Sequence, residues 1–263
     1  MSANILGKEY PIATTTTLDL SYKSLTEMPE SIGMLINLQK LYLHCNNLTS
    51  LPDSLGSLSK LKELDLSYNN LTNILESIGS LSNLQILNLS NNNLTYLPKP
   101  IGSLSNLLEL DLYNNKLTSL PESIQSLSNL QKLYLSNNNL TSLPESIGSL
   151  SNLKKLYLYY NNLTSLPKSI QMLSNLEILY LSENNLTCLP ESIEIFTNIE
   201  KLILDESSYE INNLSMDCHT LILTDNDNNI TNLPPILRTL YLKSNINVDM
   251  IKIPYGCDII RFE

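Results

Sequence analysis

Residues 130–153 read LQKLYLSNNNLTSLPESIGSLSNL. Leu130, Leu133, Leu135, Asn138 and Leu140 follow the order L-x-x-L-x-L-x-x-N-x-L, and Leu143-Pro144, Ile147 and Leu150 complete the unit. The frame continues in both directions. Leu38, Leu61, Leu84, Leu107, Leu130, Leu153 and Leu176 stand 23 residues apart, and Ile199 takes the next place. A fixed period of this kind marks a stack of like units. No single unit can bury its own leucines, so each must lie against the next.

Spacing assigns the faces. Leu133 and Leu135 are two apart, so both point into the coil from a short strand, and Tyr134 between them points out. Successive strands stack in parallel at ~4.8 Å. After the Asn the chain turns, and Pro-Glu-Ser-Ile-Gly-Ser-Leu returns it along the other side. A Pro followed by an acidic residue suits the start of a short helix. Glu30, Asp53, Glu76, Glu122, Glu145 and Glu191 therefore form a solvated acidic ladder, with Lys99 and Lys168 as exceptions. The expected architecture is an α/β solenoid: a horseshoe with a parallel concave sheet of about twelve short strands and short helical or 3-10 convex segments.

Asn46, Asn69, Asn92, Asn115, Asn138, Asn161 and Asn184 make a second column. An inward amide there can satisfy turn backbone that water does not reach, which outweighs a polar binding track. Lys23 holds the place in the first unit and Ser207 in the ninth. From Ile199 the leading positions become Cys218, Leu237 and Cys257, with Leu202/Leu204, Leu221/Leu223, Leu240/Leu242 and Ile260/Phe262 as strand cores. Leu233-Pro234-Pro235-Ile236 reads as extended, so a thinner convex side and flatter curvature are expected there. The division is an N-terminal cap at 1–14, 23-residue units over 15–198, and shorter irregular units with a C-terminal strand over 199–263.

These units resemble the leucine-rich repeats of the Ras-binding group, the Sur-8-like and plant Ras-group-related proteins, through L-P-x-x-I-G-x-L-x-N-L. The shorter C-terminal units resemble bacterial effector leucine-rich repeats. Both resemblances imply cytoplasmic binding of a protein on the concave face. Effectors of the ubiquitin-ligase type add a catalytic domain with a nucleophilic Cys, which is expected to be missing from a sequence ending at Glu263. Richness in Asn, Ile and Tyr resembles proteins of AT-rich genomes, such as giant viruses, amoebae and intracellular bacteria.

A net charge of −10 argues against phosphate backbones and anionic lipid as partners. Met1–Tyr10 has neither a basic start nor an apolar run, so no signal peptide is expected, and no stretch approaches a membrane span. Cys45, Cys188, Cys218 and Cys257 lack the spacing of a zinc site or disulfide cap, which points to a reduced, intracellular protein. Cys218 and Cys257 are expected in core slots two strands apart, too far for a disulfide. The glycosylation sequons at Asn47, Asn70, Asn93 and Asn139 are read as a by-product of the repeat.

The informative column is the outward one: Asp19, Tyr42, Asp65, Asn88, Asp111, Tyr134, Tyr157, Tyr180, Ile203, Ile222, Tyr241 and Arg261. It runs from acidic to aromatic. Tyr134, Tyr157 and Tyr180, edged by Lys132, Lys155, Tyr159 and Tyr160, make the candidate partner-binding surface, with Lys154 and Ile178 alongside. The competing reading is that stacked tyrosines only stabilise neighbouring strands. Catalysis has no constellation to stand on. His44 and His219 lie eight strands apart, no third group is expected to orient the His44–Cys45 neighbours, and Asp19, Asp65 and Asp111 skip alternate units. Asp225 and Asp227 lack the glycine and terminal glutamate of a calcium loop. No catalytic residue, cofactor or metal is expected. The leading expectation is a monomeric, noncatalytic adaptor for a folded protein, such as a small GTPase or host signalling factor. The alternative is a recognition subunit whose catalysis sits on another chain.

Overall fold

The computed structural model describes residues 1–186, 201–204, 220–223, 233, 237–243 and 251–262. Among them twelve parallel strands form one sheet in chain order. These are β3 (Thr17–Asp19), β4 (Lys40–Tyr42), β5 (Glu63–Asp65), β6 (Ile86–Asn88), β7 (Glu109–Asp111), β8 (Lys132–Tyr134), β9 (Lys155–Tyr157), β10 (Ile178–Tyr180), β11 (Lys201–Leu204), β12 (Thr220–Leu223), β13 (Thr239–Lys243) and β14 (Asp258–Phe262). The inward leucines, from Leu41 and Leu43 to Leu179 and Leu181, are fully buried in one continuous core. The result is the expected horseshoe.

On the convex side seven 3-10 segments among the described residues, from Glu30–Met34 to Lys168–Met172, return the chain. Each follows an extended residue, normally Pro. Leu75 takes the same angles as Pro98, φ −67° against −69°, so packing imposes the conformation that proline only makes easier. Gly148 shows how closely neighbouring segments approach: a Cβ there would meet the Ser169 carbonyl oxygen at 2.4 Å.

The acidic ladder is not merely solvated. The Glu30 carboxylate accepts the Ser54 N–H at 3.1 Å, and Glu145 accepts the N–H groups of Lys168 and Ser169 at 3.2 and 3.0 Å. Each of these carboxylates caps the segment of the following coil, whose first N–H groups have no partner inside so short a helix.

The chain begins with an antiparallel hairpin, β1 (Ser2–Ile5) and β2 (Lys8–Pro11). Leu6 and Gly7 both take positive φ, +53° and +82°, as a two-residue hairpin turn requires. Ala3 and Ile5 are buried as part of the core.

The last strand departs from the expected register. Leu240 and Leu242 pair with Ile259 and Arg261, and Tyr241 pairs with Ile260, so Ile260 replaces Arg261 in the outward column. The 19-residue step of the two preceding pairings is simply kept, so Cys257 falls opposite Arg238 and not opposite Leu237. Ile259 and Ile260 are 43% and 41% exposed. Neither parity of this strand is strongly buried, so burial does not decide which one faces inward. Cys45 and Cys257 carry free thiols, whereas Cys188, Cys218, Glu191, Ser207, His219, Asp225, Asp227 and the Pro234-Pro235 segment lie outside the described residues.

Candidate functional site

The buried asparagines explain how the concave strands are held. Asn138 donates through Nδ2 to the carbonyls of Leu112 and Leu135, both at 2.9 Å, and accepts the Leu117 N–H through Oδ1 at 3.0 Å. Asn69, Asn92, Asn115 and Asn161 repeat the pattern between their own coils. This column is structural. A second, exposed asparagine ladder was missed in the sequence, although S-N-L signals it: Asn106, Asn129 and Asn152 donate to Ser82, Ser105 and Ser128 carbonyls at 2.7–2.8 Å.

The outward column is in register from Asp19 to Tyr241. Its acidic half has a local task. Asp19, Asp65, Asn88 and Asp111 each accept the backbone N–H two residues on, at 2.9–3.0 Å. Tyr134, Tyr157 and Tyr180 occupy the same position and give up that bond, since a phenol ring cannot fold back to make it.

What they form instead is a stack. Tyr134 and Tyr157 have ring centroids 4.8 Å apart at 13°, and Tyr157 and Tyr180 are 5.8 Å apart at 24°. Tyr159 leans on Tyr180 at 5.5 Å and meets Tyr160 edge-on at 5.6 Å, and Tyr113 extends the cluster at 6.2 Å from Tyr159. The three central rings are half-buried, and burial raises their phenol pKa values. Tyr159 is pushed up to about 12 by burial and by its Tyr113 neighbour. Among the described residues none of the Tyr134, Tyr157 and Tyr180 hydroxyls makes a hydrogen bond, in contrast to Tyr42, which donates to Glu63 at 2.7 Å.

The expected basic edge is largely neutralised. Lys132 is bound by Glu109 at 2.9 Å and Lys154 by Glu177 at 3.1 Å, leaving Lys155 without an ion pair among the described residues. Cross-coil distances of one strand spacing make such pairing easy, and sequence columns read singly do not reveal it.

Tyr160 belongs to another column unseen in the sequence. Tyr22, Cys45, Tyr68, Asn91, Asn114, Asn137, Tyr160 and Glu183, one per coil, all have φ between +51° and +58°. Asn tolerates this left-handed conformation, whereas a bulky Tyr is strained there. Tyr160 is nonetheless 53% exposed.

His44 does have orienting neighbours, contrary to the sequence reading. Its Nδ1 lies 2.9 Å from Ser21 Oγ and 3.5 Å from Asp65 Oδ2, and Tyr22 meets the ring edge-on. Both contacts use the same nitrogen, so they compete. A relay from serine through imidazole to carboxylate needs one on each nitrogen. No group of three metal-ligating side chains occurs among the described residues, and no described helix is long and apolar enough to cross a membrane.

Comparison with known proteins agrees with this architecture. The family described as leucine-rich repeat region matches residues 64–161, and that described as leucine rich repeat matches 14–71 and 151–207. A leucine-rich-repeat protein of Leptospira interrogans is 34% identical, with 94% of this chain and 74% of that one covered and a TM-score of 0.58. The plant peptide hormone receptor RGFR1 in complex with RGF2 is 28% identical over 90% of this chain and 41% of the receptor, at a TM-score of 0.72. A TDR receptor, 24% identical, shares the fold at a TM-score of 0.63 over 95% of this chain and 56% of its own. The chain thus spans about half the length of the two receptors. No curated protein matches it. Repeat frame, buried asparagine column and matched residues agree: the chain belongs to the leucine-rich-repeat family.

Proposed function

We propose that the chain is a noncatalytic adaptor that grips a protein partner on the concave face of its sixth to eighth units, centred on Tyr134, Tyr157 and Tyr180. One observation carries this reading. At a position where four other coils use Asp or Asn to hold a backbone N–H, these three place a half-exposed ring with an unbound hydroxyl. Tyr159, Tyr160 and Lys155 border the surface, and Lys132 reaches it as half of an ion pair. The complex of the plant receptor with RGF2 supports a polypeptide partner. Resemblance to the Ras-binding group and to bacterial effectors favours a small GTPase or host signalling protein in a cytoplasmic setting, and the charges of Asp258 and Arg261 on the last strand favour a monomer. The chain then divides into a cap over 1–14, regular repeats over 15–198 and shorter ones over 199–263.

The test starts from affinity capture and mass-spectrometric identification of the partner, which is then purified. Changing Tyr157 and Tyr180 to Ala should weaken its binding by at least ~2 kcal/mol, as truncating a central interface tyrosine commonly does. Glu122→Lys on the convex side should leave binding unchanged. If the tyrosine variant unfolds in step with its loss of binding, the rings serve only the sheet. If it binds normally, the partner sits elsewhere.

A further inference from the structure

The tyrosine stack ends abruptly at Tyr134. One face of that ring is covered by Tyr157, at 4.8 Å and nearly parallel. The other face looks along the sheet toward β7, where the register partner is Asp111. Among the described residues neither an aromatic ring nor a cation lies against that second face. Asp is much shorter than Tyr, so the outward column steps down here. The step has an aromatic wall and a carboxylate floor.

The charge on that floor has no use in the fold. The Asp111 Oδ1 accepts the Tyr113 N–H at 2.9 Å, but Asn88 makes the equivalent bond to Ser90 without a charge. The other two column aspartates have a basic side chain beside them. Asp65 is 3.5 Å from His44, and Asp19 is favoured by His44 and Lys23. Asp111 is in no ion pair among the described residues. The charged neighbours that act on it are Glu109 and Asp65, while Lys132, the register partner of Glu109, is bound to Glu109. Burial and those two carboxylates raise its pKa against the smaller opposing effect of the Tyr113 N–H. A partly buried carboxylate with no cation beside it costs stability.

Resting on the docking surface proposed above, we propose that Asp111 and the open face of Tyr134 form a socket for an arginine side chain of the partner polypeptide. A guanidinium is planar, so it can lie flat on the phenol ring while its edge N–H groups donate to the free carboxylate oxygen. Lysine fits less well, since its ammonium offers no plane to stack. The negative balance of Asp111, Glu109 and Asp65 against Lys132 favours a cation and rejects an acidic segment.

The experiment selects short random peptides displayed on phage against the full chain, then synthesises the binders with arginine or with neutral, isosteric citrulline. Selected peptides should carry arginine, and citrulline should weaken wild-type binding at least tenfold. Asp111→Asn keeps the turn bond, as Asn88 does, so its thermal midpoint should be unchanged or higher while arginine and citrulline peptides bind it equally. Tyr134→Leu should reduce the arginine preference, and Glu122→Gln should retain it. The socket is overturned if no arginine-containing binder emerges, or if Asp111→Asn still prefers arginine. Loss of peptide binding in the Tyr157 and Tyr180 variant alongside such a result would leave the docking surface standing without the socket. Insensitivity to the Asp111, Tyr134 and Tyr157/Tyr180 changes alike would remove both.

Discussion

Asn137 and Asn138 are adjacent and chemically identical, yet the fold uses them for opposite purposes. Asn138 is buried and satisfies two carbonyls and one N–H from neighbouring turns. Asn137 is half-exposed with φ +55°, where its side chain merely eases a left-handed backbone. Asn138→Ala should therefore cost about 2 kcal/mol or more, since each buried group left unpaired costs ~1–3 kcal/mol. Asn137→Ala should cost only about 1 kcal/mol, the penalty of losing the short polar side chain that eases that conformation. Urea unfolding of both variants checks the register, and equal losses would contradict it. The sequence distinguished the two because the 23-residue frame assigns Asn138 to the inward column. It did not reveal the left-handed column, because Tyr22, Cys45, Tyr68, Tyr160 and Glu183 interrupt its asparagines.

Between elements, the convex segments are joined by contacts that no single unit contains. Glu122 and Glu145 begin equivalent 3-10 segments and read alike in sequence. Glu145 accepts two N–H groups from the next coil, whereas Glu122 makes no hydrogen bond or ion pair among the described residues. Glu145→Lys should lower the thermal midpoint measurably, through the lost cap and through repulsion from Lys168. Glu122→Lys should shift the thermal midpoint little. A midpoint equally low in both would show that helix-start charge, and not the cross-coil bond, matters. The same logic governs the concave edge. Lys132 looked like a free base in its column, but the neighbouring coil brings Glu109 within 2.9 Å.

Over the whole molecule, stability propagates from coil to coil, so the ends are where the array is vulnerable. At the start, the hairpin contributes Ala3 and Ile5 to the core. At the far end, β14 leaves Ile259 and Ile260 partly exposed, and Asp258 and Arg261 place charge on the strand. Charged edge strands resist pairing with other chains. The full chain should therefore sediment as a monomer across a wide concentration range. A dimer that persists on dilution, and is lost when Ile259 and Ile260 are changed to Lys, would instead make β14 a buried interface.

The sequence by itself determined the solenoid, the inward leucines, the structural asparagines and the outward alignment of Tyr134, Tyr157 and Tyr180. Those features follow from a period and a parity, and both are local properties repeated without change along most of the chain. Tertiary structure alone decided which charges cancel, which glutamates cap a neighbour and which carboxylate stands without a cation. It also decided the pairing of β14, where Tyr241 meets Ile260. Each of these depends on the distance between side chains in different coils. That distance is set by how one coil seats on the next, and a frame read along one chain does not contain it.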